Sequence, residues 1–419
     1  MSVETHKLSN GATVLIDPIP HVQTISIGYF FNKGARHETK RENGIAHFLE
    51  HMAFKGTDNM TARELGQKIA FLGAKANAFT SKDMTAYFMA GAADQATDIN
   101  GLVYDIAANM ACPAQDLEIE RGVIIGEIGE YADDAGSVNM DSYTRTAFPS
   151  HAFGRTILGP KEHIERFSRA DLQGFRKKHY HAGNLVVSVA GNVSPDKILE
   201  ELEATAGQIS EGNKAKLIKP KYAGGHAAIT RPTENLDVYL GFNAAAQGRK
   251  ENLAAQIMSN ILGSGFSSRL FQRVRVENGL GYSVSSGAYR TYDAGTHILH
   301  ANINQGGAAK LVEIFCDEIN RIKQEPVTDL EFESAKNGIK VSDLMSNESV
   351  GARMRSNVSQ LLYKGRTSSS TEFLERLAAV TKDDVMKAAQ NSLSGVPTLS
   401  SIGPSGLPDY DDVLRRLDI

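Results

Sequence analysis

The chain repeats itself. The stretch "VQTISIGYFFNKG" (22–34) is echoed by "LDVYLGFNAAAQG" (236–248), and "NAFTSKDMTAYF" (77–88) has its partner in "GYSVSSGAY" (281–289). In each copy a β-branched and aromatic run leads into a helical segment and later into paired strands. A shift of about 210 residues relates the two copies, which is the mark of an internal duplication. A chain of 419 residues also exceeds what one hydrophobic core organises well, so two units of similar build are expected.

Local signals assign both units to one class. Thr61 and Glu64 have capping-box spacing and open a helix that Gly73 closes, and 77–92 reads as two adjoining strands. Two longer helices follow at about 94–110 and 114–132, and Ser168 with Asp171 opens another before the strand "NLVVSVAGNV". Residues 305–392 are nearly all helical, with a further cap at Thr381 and Asp384, and "TLSSIG" (398–403) is a short strand. Residues 211–226 turn polar, lysine-rich and glycine-bracketed, so they are expected to link a first domain, 1–210, to a second, 227–419. The expected fold class is α+β, two homologous domains, each with helices packed on a mainly antiparallel sheet.

Bulk composition narrows the partners. With 22% charged residues and a formal charge of -4, neither nucleic acid nor an anionic membrane surface is an expected partner. No run of 18 apolar residues occurs, and the start of the chain lacks a basic region leading into an apolar one. Cys112 and Cys316 stand far apart without CxxC spacing, which encodes neither a disulfide framework nor a thiolate metal site. Both are expected as core thiols of a soluble protein in a reducing compartment, the cytoplasm.

The sharpest chemistry lies in "GIAHFLEHMAFKGT" (44–57). On a helix, His47 and His51 share a face and Glu50 lies beside them. Two imidazoles there can hold one ion, and Glu50 is placed to take a proton from a water on that ion. This supplies two of the three protein ligands of a catalytic zinc, whose fourth position stays open. A helix can also carry two surface histidines without any catalytic purpose. Here, however, Ile45, Ala46, Phe48, Leu49, Met52 and Phe54 nearly surround the polar trio, and histidines with a carboxylate on so apolar a helix need partners.

The H-x-x-E-H order is that of the inverzincins, and the segment resembles the active-site helix of the pitrilysin/insulinase family of zinc peptidases, closest to its processing-peptidase branch. The resemblance implies one Zn²⁺ per chain, with Glu50 as general base. It also implies a third ligand about 76 residues past the second histidine, which is Glu127. Glu120, two turns earlier on the same helix, matches a carboxylate that supports the site. "GAKANAFTSKDMTAYF" resembles the family's edge strand, where a peptide substrate adds by main-chain pairing; Asn77, Ala78 and Phe79 are the implied contacts. "FQRVRVENGLGYSVSS" resembles the family's Arg-x6-Tyr pair, here Arg275 and Tyr282, donors to the scissile carbonyl as it gains charge.

One departure touches specificity. Presequence-processing relatives carry acids about ten and fourteen positions after the zinc glutamate to pair with a substrate arginine; here those positions hold Ser137 and Asp141, with Asp133 and Asp134 nearby. The resemblance further implies a chamber of four homologous domains. With two domains per chain that means a homodimer, or a heterodimer with a related chain, acting on unfolded peptides. The competing expectation is a non-catalytic structural or recognition subunit, a role taken by degenerate relatives that usually lack part of the metal set.

Overall fold

The computed structural model describes residues 3–213, 218–406 and 408–419. In chain order the first half holds β1 (Glu4–Lys7), β2 (Thr13–Pro18), β3 (Thr24–Phe31), α1 (Ile45–Met52), α2 (Ala62–Phe71), β4 (Lys75–Thr80) and β5 (Thr85–Ala92). It continues with α3 (Ala96–Ala108), α4 (Ala114–Asp133), α5 (Ala135–Ala147), α6 (Lys161–Arg166), α7 (Arg169–His179), β6 (Leu185–Gly191) and α8 (Pro195–Ala204). The second half opens with β7 (Gly225–Thr230), β8 (Leu236–Asn243), α9 (Asn252–Gly263), β9 (Ser283–Arg290), β10 (Gly295–Ile303) and α10 (Ala308–Gln324). It ends with α11 (Asp329–Asn347), α12 (Val350–Lys364), α13 (Ser370–Ala378), α14 (Lys382–Ser392), β11 (Thr398–Gly403) and α15 (Tyr410–Arg416).

The expected caps are formed. Glu64 N–H donates to Thr61 Oγ1 at 3.3 Å while Thr61 N–H donates to Glu64 Oε2 at 2.8 Å, so each satisfies a backbone donor that the first turn of α2 leaves open. Ser168 with Asp171 and Thr381 with Asp384 repeat the device at α7 and α14.

Two sheets result, ordered β1-β2-β6-β3-β5-β4 and β7-β11-β8-β10-β9. Pairing is antiparallel except for β2 with β6 and β7 with β11, and this fits a mainly antiparallel α+β fold. Apart from β1, the two orders correspond strand for strand, as a duplicated chain requires. The central strands β3 and β6 are buried almost end to end, so neither alternates polar with apolar; a strand of that kind needs cover on both faces.

That cover crosses the sequence. The chain divides into two compact units: one runs up to Gly129 and adds Arg155–Ile218 and Leu344–Ser370, and the other holds Glu130–Gly154, Lys219–Asp343 and Thr371–Ile419. A single boundary between 210 and 227 is therefore crossed twice. In the first unit, α12 seats Met354 and Val358 against Leu15, Phe30 and Val186. Arg353 forks onto buried Asp17 at 2.6 and 2.8 Å, and the Ser188 hydroxyl donates to the Met354 carbonyl. In the second, α5 does the same with Tyr143 and Ala147 beside Ile298, and Asn139 donates to the Asp237 carbonyl at 2.9 Å. Each sheet borrows one helix from the other half because its own helices fill only the opposite face. Of the expected linker, residues 214–217 lie outside the described residues, and its last two residues begin β7.

Candidate metal centre

Helix α1 begins without a side-chain cap of its own. Gly44 stands at its N-cap with φ +101, where a Cβ would come within 2.6 Å of the Leu158 carbonyl, so only glycine fits. The open amides are taken by Glu38. Its Oε2 accepts from Gly44 N–H at 3.0 Å, and its Oε1 accepts from Ala46 N–H at 2.9 Å. Burial pushes this carboxyl up to about 7 despite these bonds. Glu38 was not legible as a functional residue: a cap usually sits at the N-cap itself, and the only signal was the lack of Ser, Thr, Asp or Asn there.

Ile45, Ala46, Phe48, Leu49 and Met52 pack into the core and thereby aim the remaining face of α1 outward. His47 and His51 meet with ring centroids 4.7 Å apart. Glu127, on α4, places Oε2 3.7 Å from His47 Nε2 and 3.3 Å from His51 Nε2. The three donor groups lie within 4.8 Å of one another and form a cluster able to hold a metal ion. The other ring nitrogen of His51, Nδ1, lies 3.0 Å from Glu120 Oε2, and Lys55 Nζ grips Glu120 Oε1 at 2.7 Å. With its proton held on Nδ1 by that carboxylate, His51 turns the lone pair of Nε2 toward Glu127. Burial alone would raise the Glu120 carboxyl, but the Lys55 and His51 bonds outweigh it and hold it below the usual range. Lys55 carried no signal in the sequence, since its role depends on α4 packing beside it.

The donor set fits a zinc ion. Glu127 Oε2 is buried and has no hydrogen-bond donor, and such an acceptor facing two imidazole nitrogens suits a divalent cation. His47 is held down to about 4 by burial first and the neighbouring His51 second, so it is neutral and able to ligate at neutral pH. Glu50 is half-buried; burial raises its carboxyl, Thr80 of β4 opposes the rise by hydrogen bonding, and the Glu127 charge adds to it. A carboxylate shifted toward neutrality is suited to exchanging protons.

The remaining expected residues fall in three places. Arg275 and Tyr282 come together in the second unit, with the guanidinium 5.3 Å from the tyrosine ring centre, and Tyr282 is 78% exposed. Strand β4 is the outermost strand of its sheet. Within it, Asn77 Oδ1 accepts from Ala78 N–H at 2.8 Å, and Phe79 packs edge-on against Phe30 and Phe88. Asp141, on α5, lies near the Tyr131 hydroxyl, which donates to the Ser137 carbonyl at 3.3 Å. The two acids near Ser137 have ordinary structural roles: Asp134 caps α5 by accepting from Ser137 N–H at 2.9 Å, and Asp133 lies 3.7 Å from Arg231.

A duplicated α+β fold whose inverted H-x-x-E-H helix meets a distant glutamate defines the inverzincin class of zinc metallopeptidases. Residues 13–161 match the family described as insulinase (peptidase family M16), and residues 166–339 match its M16 inactive domain. An uncharacterized zinc protease of Rickettsia bellii is 31% identical over 96% of this chain and 98% of its own length. One of Bacillus subtilis is 30% identical over 96% and 99%. A protease from Helicobacter pylori has the same fold, with TM-score 0.89 over 96% of this chain and 99% of that one at 22% identity. A chain of complex III2 from Candida albicans does too, with TM-score 0.87 over 99% and 100% at 20% identity. The chain belongs to the M16, or pitrilysin/insulinase, family of zinc metallopeptidases. Among the described residues, no helix is long and apolar enough to cross a membrane.

Proposed function

We propose that this protein is a zinc-dependent endopeptidase that hydrolyses unfolded peptides within a dimeric chamber. The observation that carries the reading is the meeting of His47, His51 and Glu127, whose donor atoms lie within 4.8 Å of one another with the buried Glu127 Oε2 lacking a hydrogen bond. These three residues would hold the ion; when bound, zinc supplies Lewis acidity toward water and a carbonyl oxygen. Glu50 accepts the proton of the attacking water and returns it to the leaving amine. Arg275 and the Tyr282 hydroxyl donate to the carbonyl oxygen as it becomes negative. The open edge of β4 aligns the substrate main chain, and a strand pairing at Ala78 N–H displaces the Asn77 side chain that covers it. Asp141 remains as the one acid for a basic substrate residue, with Ser137 in place of the other, so selection for arginine is weak.

Replacing Glu50 by Gln leaves zinc bound and lowers turnover of a quenched peptide by about 10²–10⁴-fold; wild-type turnover in the metal-replete variant refutes the assignment. The Arg/Tyr pair serves the zinc of the opposite chain, so mixing a Glu50→Gln chain with an Arg275→Ala chain restores activity that neither parent has. A mixture as inactive as its parents excludes sharing between chains.

The second reading, a non-catalytic subunit, draws on the match of 166–339 to an inactive domain and the likeness in fold to a chain of complex III2. The complete donor set argues for the enzyme. Zinc analysis together with one peptide assay separates the two, because a structural subunit turns nothing over.

A further inference from the structure

In the second unit a buried carboxylate is hydrogen-bonded to one guanidinium group and lies within 4 Å of two more. Glu318, on α10, is 1% exposed. Its Oε1 accepts from Arg273 Nη1 at 3.1 Å, and its oxygens lie 3.7 Å from Arg269 and 3.9 Å from Arg321. Asp317 takes the other arm of Arg273 at 3.0 Å. Arg269 in turn forks onto Glu331 at 2.7 and 3.1 Å, and Glu331 also accepts from Thr328 N–H at 2.8 Å at the start of α11. Buried pairs of this kind contribute little net stability compared with apolar packing, so stability alone does not account for the cluster.

What the cluster grips is unusual. Phe271–Glu277 is π-helical, a rare geometry that concentrates at functional sites. Arg275 follows Arg273 by two residues. On a helix of roughly four residues per turn the two side chains point to opposite sides. With Arg273 clamped inward, Arg275 is turned out, its guanidinium 5.0 Å from the Phe271 ring centre and 5.3 Å from that of Tyr282. The far end of the turn is tied back by Asn278 Nδ2 donating to the Arg273 carbonyl at 2.7 Å and Leu280 N–H donating to the Val274 carbonyl at 2.9 Å.

We infer that Glu318 is a positioning residue: by holding Arg273 from within, it fixes the π-helical turn that presents Arg275, stacked on Tyr282, to the substrate. The inference rests on the reading of Arg275 as a donor to the scissile carbonyl. Two measurements on the full-length, zinc-loaded protein test it. Replacing Glu318 by Gln is expected to speed amide exchange across 271–280 while the rest of the second unit keeps its protection. It should also lower kcat for a quenched peptide by about tenfold with KM within about twofold, and the same change made in Arg275→Ala should cost nothing more. Should Glu318→Gln fail to fold, Asp317→Asn at the half-exposed arm of the clamp is read in the same cycle, with a smaller loss. Unchanged exchange, or losses that add in the double variant, overturns the inference while the role of Arg275 stands. Wild-type turnover in Arg275→Ala overturns that role instead, and faster exchange on Glu318→Gln then still upholds the clamp.

Discussion

The two units share one scaffold and use it differently. In the first, α1 lies by the edge strand β4, with Ile45, Phe48 and Leu49 in the core; in the second, α9 lies by β9, with Met258, Ile261 and Leu262 in the core. Aligning these triplets puts Asn260, Gly263 and Ser264 where the first unit has His47, Glu50 and His51. The surroundings changed with them. A Cβ at Gly263 would stand 2.2 Å from Ser286 N, so α9 sits against its strand with no room for a side chain where α1 carries Glu50. Asn260 approaches Gly338 of α11, whereas His47 meets Glu127 of α4. Where one copy keeps a gap lined with donors, the other has closed it by backbone contact, and close packing leaves no place for an ion. The metal site is thus a local addition to a fold that stands without it.

Four experiments can break or sharpen that contrast. The largest effect is expected from Glu127→Ala, which should take bound zinc from one per chain to none and abolish turnover, while amide exchange in the second unit stays as in the wild type. Loss of protection across both units would show that the metal supports the whole fold. Next, Glu120→Ala removes the partner of His51 Nδ1 and is expected to weaken zinc binding about 10–100-fold in a competition titration; unchanged affinity would reduce Glu120 to a surface acid.

Gly263→Ala comes third. Forcing α9 off β9 should cost about 1–3 kcal/mol in urea unfolding. Gly66→Ala in the middle of α2, where a Cβ meets nothing within 4 Å, should stabilise by about 0.5–1 kcal/mol. Equal effects would deny that α9 is the more tightly seated helix.

The last effect is a pH slope, small near neutrality. His297 is fully buried and held down to about 3 by burial first and by Arg290 second; the pairing that sets it opposite Phe242 sets Tyr87 opposite Tyr29 in the first unit. With its folded pKa below the unfolded value, its contribution is complete above about 6.5 and is lost as pH falls toward 3, by at most about 1.4 kcal/mol per pH unit. The urea midpoint of His297→Ala should therefore vary less between those limits than that of the wild type. Parallel slopes would place the acid sensitivity elsewhere.

Much of this fold is legible in the amino-acid sequence alone. Thr61 with Glu64, Ser168 with Asp171 and Thr381 with Asp384 act within one turn, so their spacing alone announces a helix start. The strands at 77–92 and 398–403 were equally plain, since β-branched and aromatic runs between turn residues have few alternatives. Helix α5 was not visible, because Ala135–Ala147 lacks a clear apolar stripe until Tyr143 and Ala147 find the β8 and β10 side of the other sheet. The exchange of α5 and α12 between units was hidden for the same reason: a sequence records periodicity, not which sheet face remains uncovered.

By itself the sequence determined what depends on neighbours along the chain: the duplication, the strand and helix periods, and the one-turn spacing that sets His47 beside His51. Only the tertiary structure decided that Glu127 reaches both imidazoles, that Lys55 and Glu120 hold one of them in a single tautomer, and that Glu38 closes the start of α1. These contacts join residues far apart in the chain, and their energies depend on distances that packing alone sets.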